Sequence, residues 1–152
     1  MRTLRLGRQF DCVLVHDAIC YMTTPGDLAR ALETAYVHTA PGGVAIFQPD
    51  FTAESFVPGT ETGGSDAGGR GLRYLEWRRL SEADADTYVS DMAYLLRHED
   101  GSVETIYDRH IAGLFPRAAW LKLLAAAGFE ARALPFEHSD CNDYEVFLGL
   151  PQ

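Results

Sequence analysis

The sequence predicts an α/β fold carrying an antiparallel β insert, and three observations predict it. Residues 10–47 run from a short apolar stretch through an amphipathic one into a second apolar stretch. Further on, Asp100-Gly101 joins two runs of alternating side chains. A last helical stretch then leads into two more apolar runs. Strand, helix and strand with short links form a βαβ unit, whose strands are parallel with a right-handed crossover.

Phe10–Val15 is short, apolar and rich in β-branched residues, which suits a strand buried on both faces. The polar pair His16-Asp17 ends it. Thr24-Pro25-Gly26-Asp27 then supplies an N-cap, a proline at the first helical position and an acid three residues after the cap. Leu28, Ala31, Leu32, Ala35 and Tyr36 follow at helical spacing, and Pro41-Gly42-Gly43 reads as the stop. Val44–Phe47 is the second strand and runs into Gln48-Pro49-Asp50. Residues Gly59–Gly71, GTETGGSDAGGRG, have nothing apolar to pack and read as a mobile loop, either a lid or a plain linker.

Leu72–Leu80, Thr87–Arg97 and Ser102–Ile111 read as an antiparallel meander, because Asp-Gly between alternating runs is a strong hairpin signal. In its middle strand Tyr88, Ser90, Met92, Tyr94 and Leu96 share one face, while Val89, Asp91, Ala93, Leu95 and Arg97 share the other. Neither face is wholly polar, so both are expected to be partly covered. Pro116 opens the last helix, through Trp120, Leu121, Leu123, Leu124 and Ala127, and Gly128 closes it. Phe129–Phe136 and Tyr144–Leu150 are the final strands, separated by the polar loop EHSDCND.

At 152 residues and 47% apolar, the chain is expected to form a single domain over residues 1–152. Its formal charge of −9 and the absence of a basic stripe argue against nucleic acid and anionic membranes as partners. Cys12, Cys20 and Cys141 show no CxxC spacing, and Cys12 lies in an apolar run where a thiol behaves as a small hydrophobe. A reduced, cytoplasmic protein is expected. No stretch has the length and apolarity of a membrane helix, and MRTLRLGRQF lacks the apolar core of a signal peptide.

The stretch FDCVLVHDAICYMTTPGDLARALETAYVHTAPGGVAIFQPD resembles the middle of class I S-adenosylmethionine-dependent methyltransferases, from the fourth strand through a PGG turn to the fifth. DRHIAGLFPRAAWLKLLAAAGFEARALPFE and DYEVFLGLP resemble the closing helix, AGF turn and last two strands of the same enzymes. The meander is similar to the antiparallel insert of small-molecule methyltransferases, aminosugar N-methyltransferases among them. The resemblance implies a truncated Rossmann-like sheet, strands 4-5-7-6, over residues 1–58 and 112–152, with a substrate-covering insert over 72–111. It implies S-adenosylmethionine as cofactor and methyl transfer to nitrogen or oxygen of a small molecule. The family's GxGxG turn and the acid after its second strand do not occur here, and the glycines at 63–71 follow no strand and open no helix. Relatives often carry a segment like DMRTLRLG before FD. The chain is therefore expected to be the C-terminal part of such an enzyme, as a truncated product, a mis-assigned start or an engineered fragment, with weak or no cofactor binding by itself. The other reading is a non-catalytic remnant that oligomerises or binds a small ligand. Loss of three strands would leave the edge of Phe10–Val15 unpaired, which invites a homo-oligomer.

Ligands of open α/β sheets bind at the carboxyl ends of the strands. The resemblance puts His16, Asp17, Ala18 and Ile19 beside the cofactor there, with Tyr21 as an aromatic cover. The plainer roles are a turn cap for Asp17 and a neighbour's hydrogen bond for His16. Gln48, Pro49 and Asp50 reach the same rim, where Asp50 could orient the acceptor or cap the next segment. Asp108 and His110 share one strand face. His110 is the candidate general base, since imidazole titrates near neutral pH, or else a structural histidine bonded to Asp108. His16, Asp17, Asp108 and His110 lack the spacing of a metal site, and Cys20 lacks a nucleophile elbow, so neither a metal nor a thiol nucleophile is expected.

Overall fold

The computed structural model describes residues 1–138 and 141–152, and the side chains of 1–136 and 144–152. Two compact units emerge, Met1–Phe56 with Gly113–Gln152, and Val57–Ala112.

The first unit is built on a four-stranded sheet. β1 (Phe10–His16) leads through a 3₁₀ turn (Ala18–Tyr21) to α1 (Pro25–His38) and β2 (Thr39–Gln48). Thr24 caps α1 by accepting from the Asp27 N–H at 3.1 Å, with Pro25 in the first turn, as the sequence implies. The helix ends before Pro41-Gly42-Gly43: Thr39 is already extended, and the glycines lie inside β2, beside a register shift between Phe10 and Cys12. β1 pairs β2 in parallel, with His16 opposite Gln48. After the second unit the chain returns as α2 (Arg117–Ala126), β7 (Phe129–His138) and β8 (Cys141–Pro151), the numbers β3–β6 being used in the second unit. The order is β1-β2-β8-β7, with β8 antiparallel to both neighbours. Of the expected loop EHSDCND, Ser139 and Asp140 lie outside the described residues.

α1 and α2 place Leu28, Leu32, Trp120 and Leu124 in the core with Phe47, Phe129 and Phe147. Trp120 stacks on Phe147 with centroids 4.8 Å apart, and Tyr36 meets Phe129 edge-on at 5.1 Å. Gly128, at φ +105, ends α2 and lets the Tyr36 ring pass where a Cβ would sit 2.8 Å from it. Residues 1–6 are strapped to α1. Arg2 pairs with Asp27, Arg5 donates to Thr34 Oγ1, and the Leu6 N–H donates to His38 Nε2 at 2.9 Å. Because Nε2 accepts, the His38 hydrogen sits on Nδ1 and is donated to the Thr34 carbonyl.

β1 departs from the expectation of a strand buried on both faces. It is an edge strand, and Cys12, Leu14 and His16 are exposed, Leu14 by 63%. Cys12 is accordingly no core hydrophobe. Among the described residues only β2 pairs with β1, so one side of an apolar sequence is left without cover.

The second unit is an antiparallel sheet of β3 (Gly59–Ala67), β4 (Arg70–Leu80), β5 (Thr87–Arg97) and β6 (Val103–Gly113), in that order. The expected loop over 59–71 is instead a hairpin, so the insert placed at 72–111 is one strand short. Gly68 and Gly69, at φ +56 and +78, form the two-residue turn between Ala67 and Arg70. Gly63 is also required: the Tyr74 ring of the next strand lies 2.5 Å from where a Cβ would be. Coverage of β5 is uneven. Thr87–Ser90 are buried, whereas Ala93, Leu95 and Arg97 are exposed on one face.

Candidate functional site

At the carboxyl end of the parallel pair, the chain leaves β1 through a strained residue. Asp17 has φ 50 and ψ −58 and is the only non-glycine residue with positive φ among the described residues. Such a conformation persists only where its surroundings hold it. The anchor is the 3₁₀ turn, whose Ile19 and Cys20 are 1% and 5% exposed. Ile19, named with the rim from the sequence, thus points its side chain into the core. His16, Asp17, Ala18 and Tyr21 are exposed. His16 Nε2 lies 3.0 Å from Asp17 Oδ1, and the Asp17 side chain caps no backbone N–H of the turn.

Cys20 ties this turn to the end of β2. Its N–H donates to the Asp17 carbonyl at 2.8 Å, and its sulfur accepts from the Asp50 N–H at 3.2 Å. Burial first, and the Asp50 charge next, push the thiol up to about 12, with a smaller contribution from Asp17. The thiol therefore stays protonated at neutral pH. A raised thiol stabilises the fold below its unfolded value of about 8.5, and that contribution is lost as pH climbs toward 12.

On either side of Asp50, Pro49 and Thr52 are buried, and the segment that follows is braced against α2 and β8. Thr52 N donates to Ser55 Oγ, Phe51 meets Phe56 edge-on at 5.4 Å, and Thr52 Oγ1 lies 3.4 Å from Glu145 Oε2. Glu145 also pairs with Arg117 at 2.5 Å, while the Arg117 backbone N–H, at the α2 N-terminus, donates to the Glu54 carboxylate. Sequence reasoning missed Thr52, Glu54, Arg117 and Glu145. Only Arg117, first in its helix, gave any local signal that an acid would be drawn near it.

Asp108 and His110 belong to the second unit, on β6. They meet as their spacing implies, with His110 Nε2 3.2 Å from Asp108 Oδ2. Elsewhere in that sheet Asp91 is held by Arg109, Tyr107 and Arg79. The Arg109 and Tyr107 hydrogen bonds hold its carboxyl below the usual range. The structure thus brings His16, Asp17, Cys20 and Asp50 together, and pairs Asp108 with His110. Among the described residues no cluster of three His, Cys, Asp or Glu could hold a metal ion, and no helix is long and apolar enough to cross a membrane. Beside the rim, a groove of about 530 Å³ runs along β1, lined by Leu4, Leu6, Cys12, Leu14, Ala31 and His38 among others.

No family model matches the chain. It is 28% identical over 153 residues to the dTDP-3-amino-3,6-dideoxy-alpha-D-glucopyranose N,N-dimethyltransferase of Streptomyces fradiae, covering 99% of this chain and 58% of that protein. The crystal structure of Streptomyces venezuelae DesVI superposes with a TM-score of 0.87 at 24% identity, over 99% of this chain and 62% of that one. The sugar N-methyltransferase KedS8 from Streptoalloteichus gives a TM-score of 0.84 at 26% identity, over 99% and 60% of the two chains. The chain thus spans about three fifths of the length of the relatives it matches. Its resemblance to class I S-adenosylmethionine-dependent aminosugar N-methyltransferases, first seen in the PGG and AGF segments, extends over nearly all of its residues.

Proposed function

We propose that this chain supplies the acceptor side of an S-adenosylmethionine-dependent methyltransferase acting on the amine of a nucleotide-linked amino sugar. One observation carries the reading: β1 and β2 deliver Asp17 and Asp50 to a single rim at their carboxyl ends, in a chain whose relatives are named for that reaction. In this reading the order β1-β2-β8-β7 corresponds to strands 4-5-7-6 of the methyltransferase sheet, and β3–β6 to the insert. The reaction belongs to the cytoplasm, where the cysteines remain reduced.

The rim suits a cation. Asp17 and Asp50 both act on Cys20, and the protonated thiol adds no negative charge of its own. S-adenosylmethionine, when bound, would supply an electrophilic methyl group. The chain's residues do the rest. Asp17 and Asp50 attract positive charge, His16, Ala18 and Tyr21 border the rim, and Asp50 orients the acceptor. His110, paired with Asp108 on β6, is by its chemistry the residue suited to take up the proton that methylation of an amine releases. Holding donor and acceptor in line provides the greater part of the acceleration.

The test is methyl transfer to a dTDP-linked amino sugar, followed by mass spectrometry, using the reading frame expressed together with the codons upstream of Met1. Methylated sugar is expected, and His110→Gln should lower the rate about 10²- to 10⁴-fold. Absence of product would overturn the reading. The 152 residues by themselves are expected to bind S-adenosylhomocysteine more weakly than micromolar, so a micromolar affinity in calorimetry contradicts that part.

The exposed edge of β1 favours a second reading, a non-catalytic remnant that pairs with another copy or takes a small ligand in its groove. Light scattering would then report a homodimer or larger assembly, and a clean monomer at high concentration would end this alternative. A stop codon directly upstream of Met1 would favour it.

A further inference from the structure

Cys20 hydrogen-bonds the backbone of both rim acids, yet it has no place in methyl transfer as nucleophile or base. Its N–H holds the Asp17 carbonyl at 2.8 Å, where the backbone turns through φ 50. Its sulfur holds the Asp50 N–H at 3.2 Å. The Asp50 charge also lies close enough to the sulfur to help push the thiol up. The bond to Asp17 belongs to the backbone and survives any side chain, whereas the bond to the Asp50 N–H needs the sulfur.

We propose that Cys20 is a positioning residue that sets the separation and orientation of Asp17 and Asp50. β1 and β2 are in register only as far as His16 and Gln48. Past that pair no ladder hydrogen bond aligns the two tips, and Cys20 takes over the task. The thiol is suited to it: one atom small enough for a site 5% exposed accepts from the Asp50 N–H. Kept neutral, it adds no charge beside Asp50 across the working pH range. The consequence for ligand binding rests on the methyltransferase reading, because it is a sulfonium or ammonium that two correctly spaced carboxylates would hold.

Two measurements on the 152-residue chain separate the clamp from that reading. In amide exchange followed by NMR, Cys20→Ala should accelerate Asp50 about tenfold, the ratio that loss of one ordinary hydrogen bond represents, while Ala45 and Phe47 keep their protection. Cys20→Ser, which keeps a donor and an acceptor, should stay within about threefold of wild type. Unchanged Asp50 exchange in Cys20→Ala, or equal acceleration throughout β2, would overturn the proposal, since the second pattern marks a packing defect. In a titration with S-adenosylmethionine, the Asp17 and Asp50 amide signals should shift, with about tenfold weaker binding in Cys20→Ala and recovery in Cys20→Ser. If these signals stay still in wild type, the 152 residues bind no cofactor by themselves, and the exchange result alone decides the clamp. If they shift equally in all three proteins, the clamp does not serve the ligand and the proposal falls.

Discussion

β1 and β2 lie side by side in one sheet and live in opposite environments. On β2, Ala45 and Phe47 are 0% exposed, with β1 on one side, β8 on the other and the aromatic cluster of Trp120 and Phe129 against Phe47. On β1, Leu14 is 63% exposed, and a thiol that composition assigned to the interior faces solvent. The strands are comparably apolar, so the difference comes from the number of neighbours each has. A strand's burial is a property of the sheet position, and an apolar edge strand is a surface awaiting a partner.

The comparison can be broken most forcefully at Phe47. Replacing it by alanine removes a fully buried ring and should cost about 3–5 kcal/mol, read by urea unfolding of the first unit. A similar loss from Leu14→Ala would erase the distinction between the strands.

A smaller contrast lies in the thiols. At pH 8, iodoacetamide should modify exposed Cys12 at least about a hundredfold faster than Cys20, which is buried and pushed up to about 12. Peptide mapping in a Cys141→Ser background reads the two sites separately, and equal rates would mean that the turn holding Cys20 opens readily.

Least of all should Leu14→Ser affect the stability of the fold, with a change within about 0.5 kcal/mol. Its effect belongs in association instead. If copies pair through β1, the variant should scatter light as a smaller species than wild type at the same concentration, and an unaltered mass would place the contact elsewhere.

Local sequence determined the elements that depend on near neighbours. The Thr24 cap, Pro25 start and Gly128 end of the helices need only adjacent residues, and the βαβ pairing follows from the short links around α1. The Asp108–His110 pair was legible for the same reason, since alternate residues on a strand share a face. Tertiary structure decided the rest, because it depends on partners distant in the chain. The glycine-rich stretch at 59–67 is a strand because β4 pairs with it and Tyr74 covers Gly63, neither of which its own residues announce. Cys20 joined the rim only when folding brought Asp50, thirty residues later, within reach of its sulfur. Leu14 was left in solvent because burial needs a second surface, and no order of residues within a strand can specify whether that surface is there.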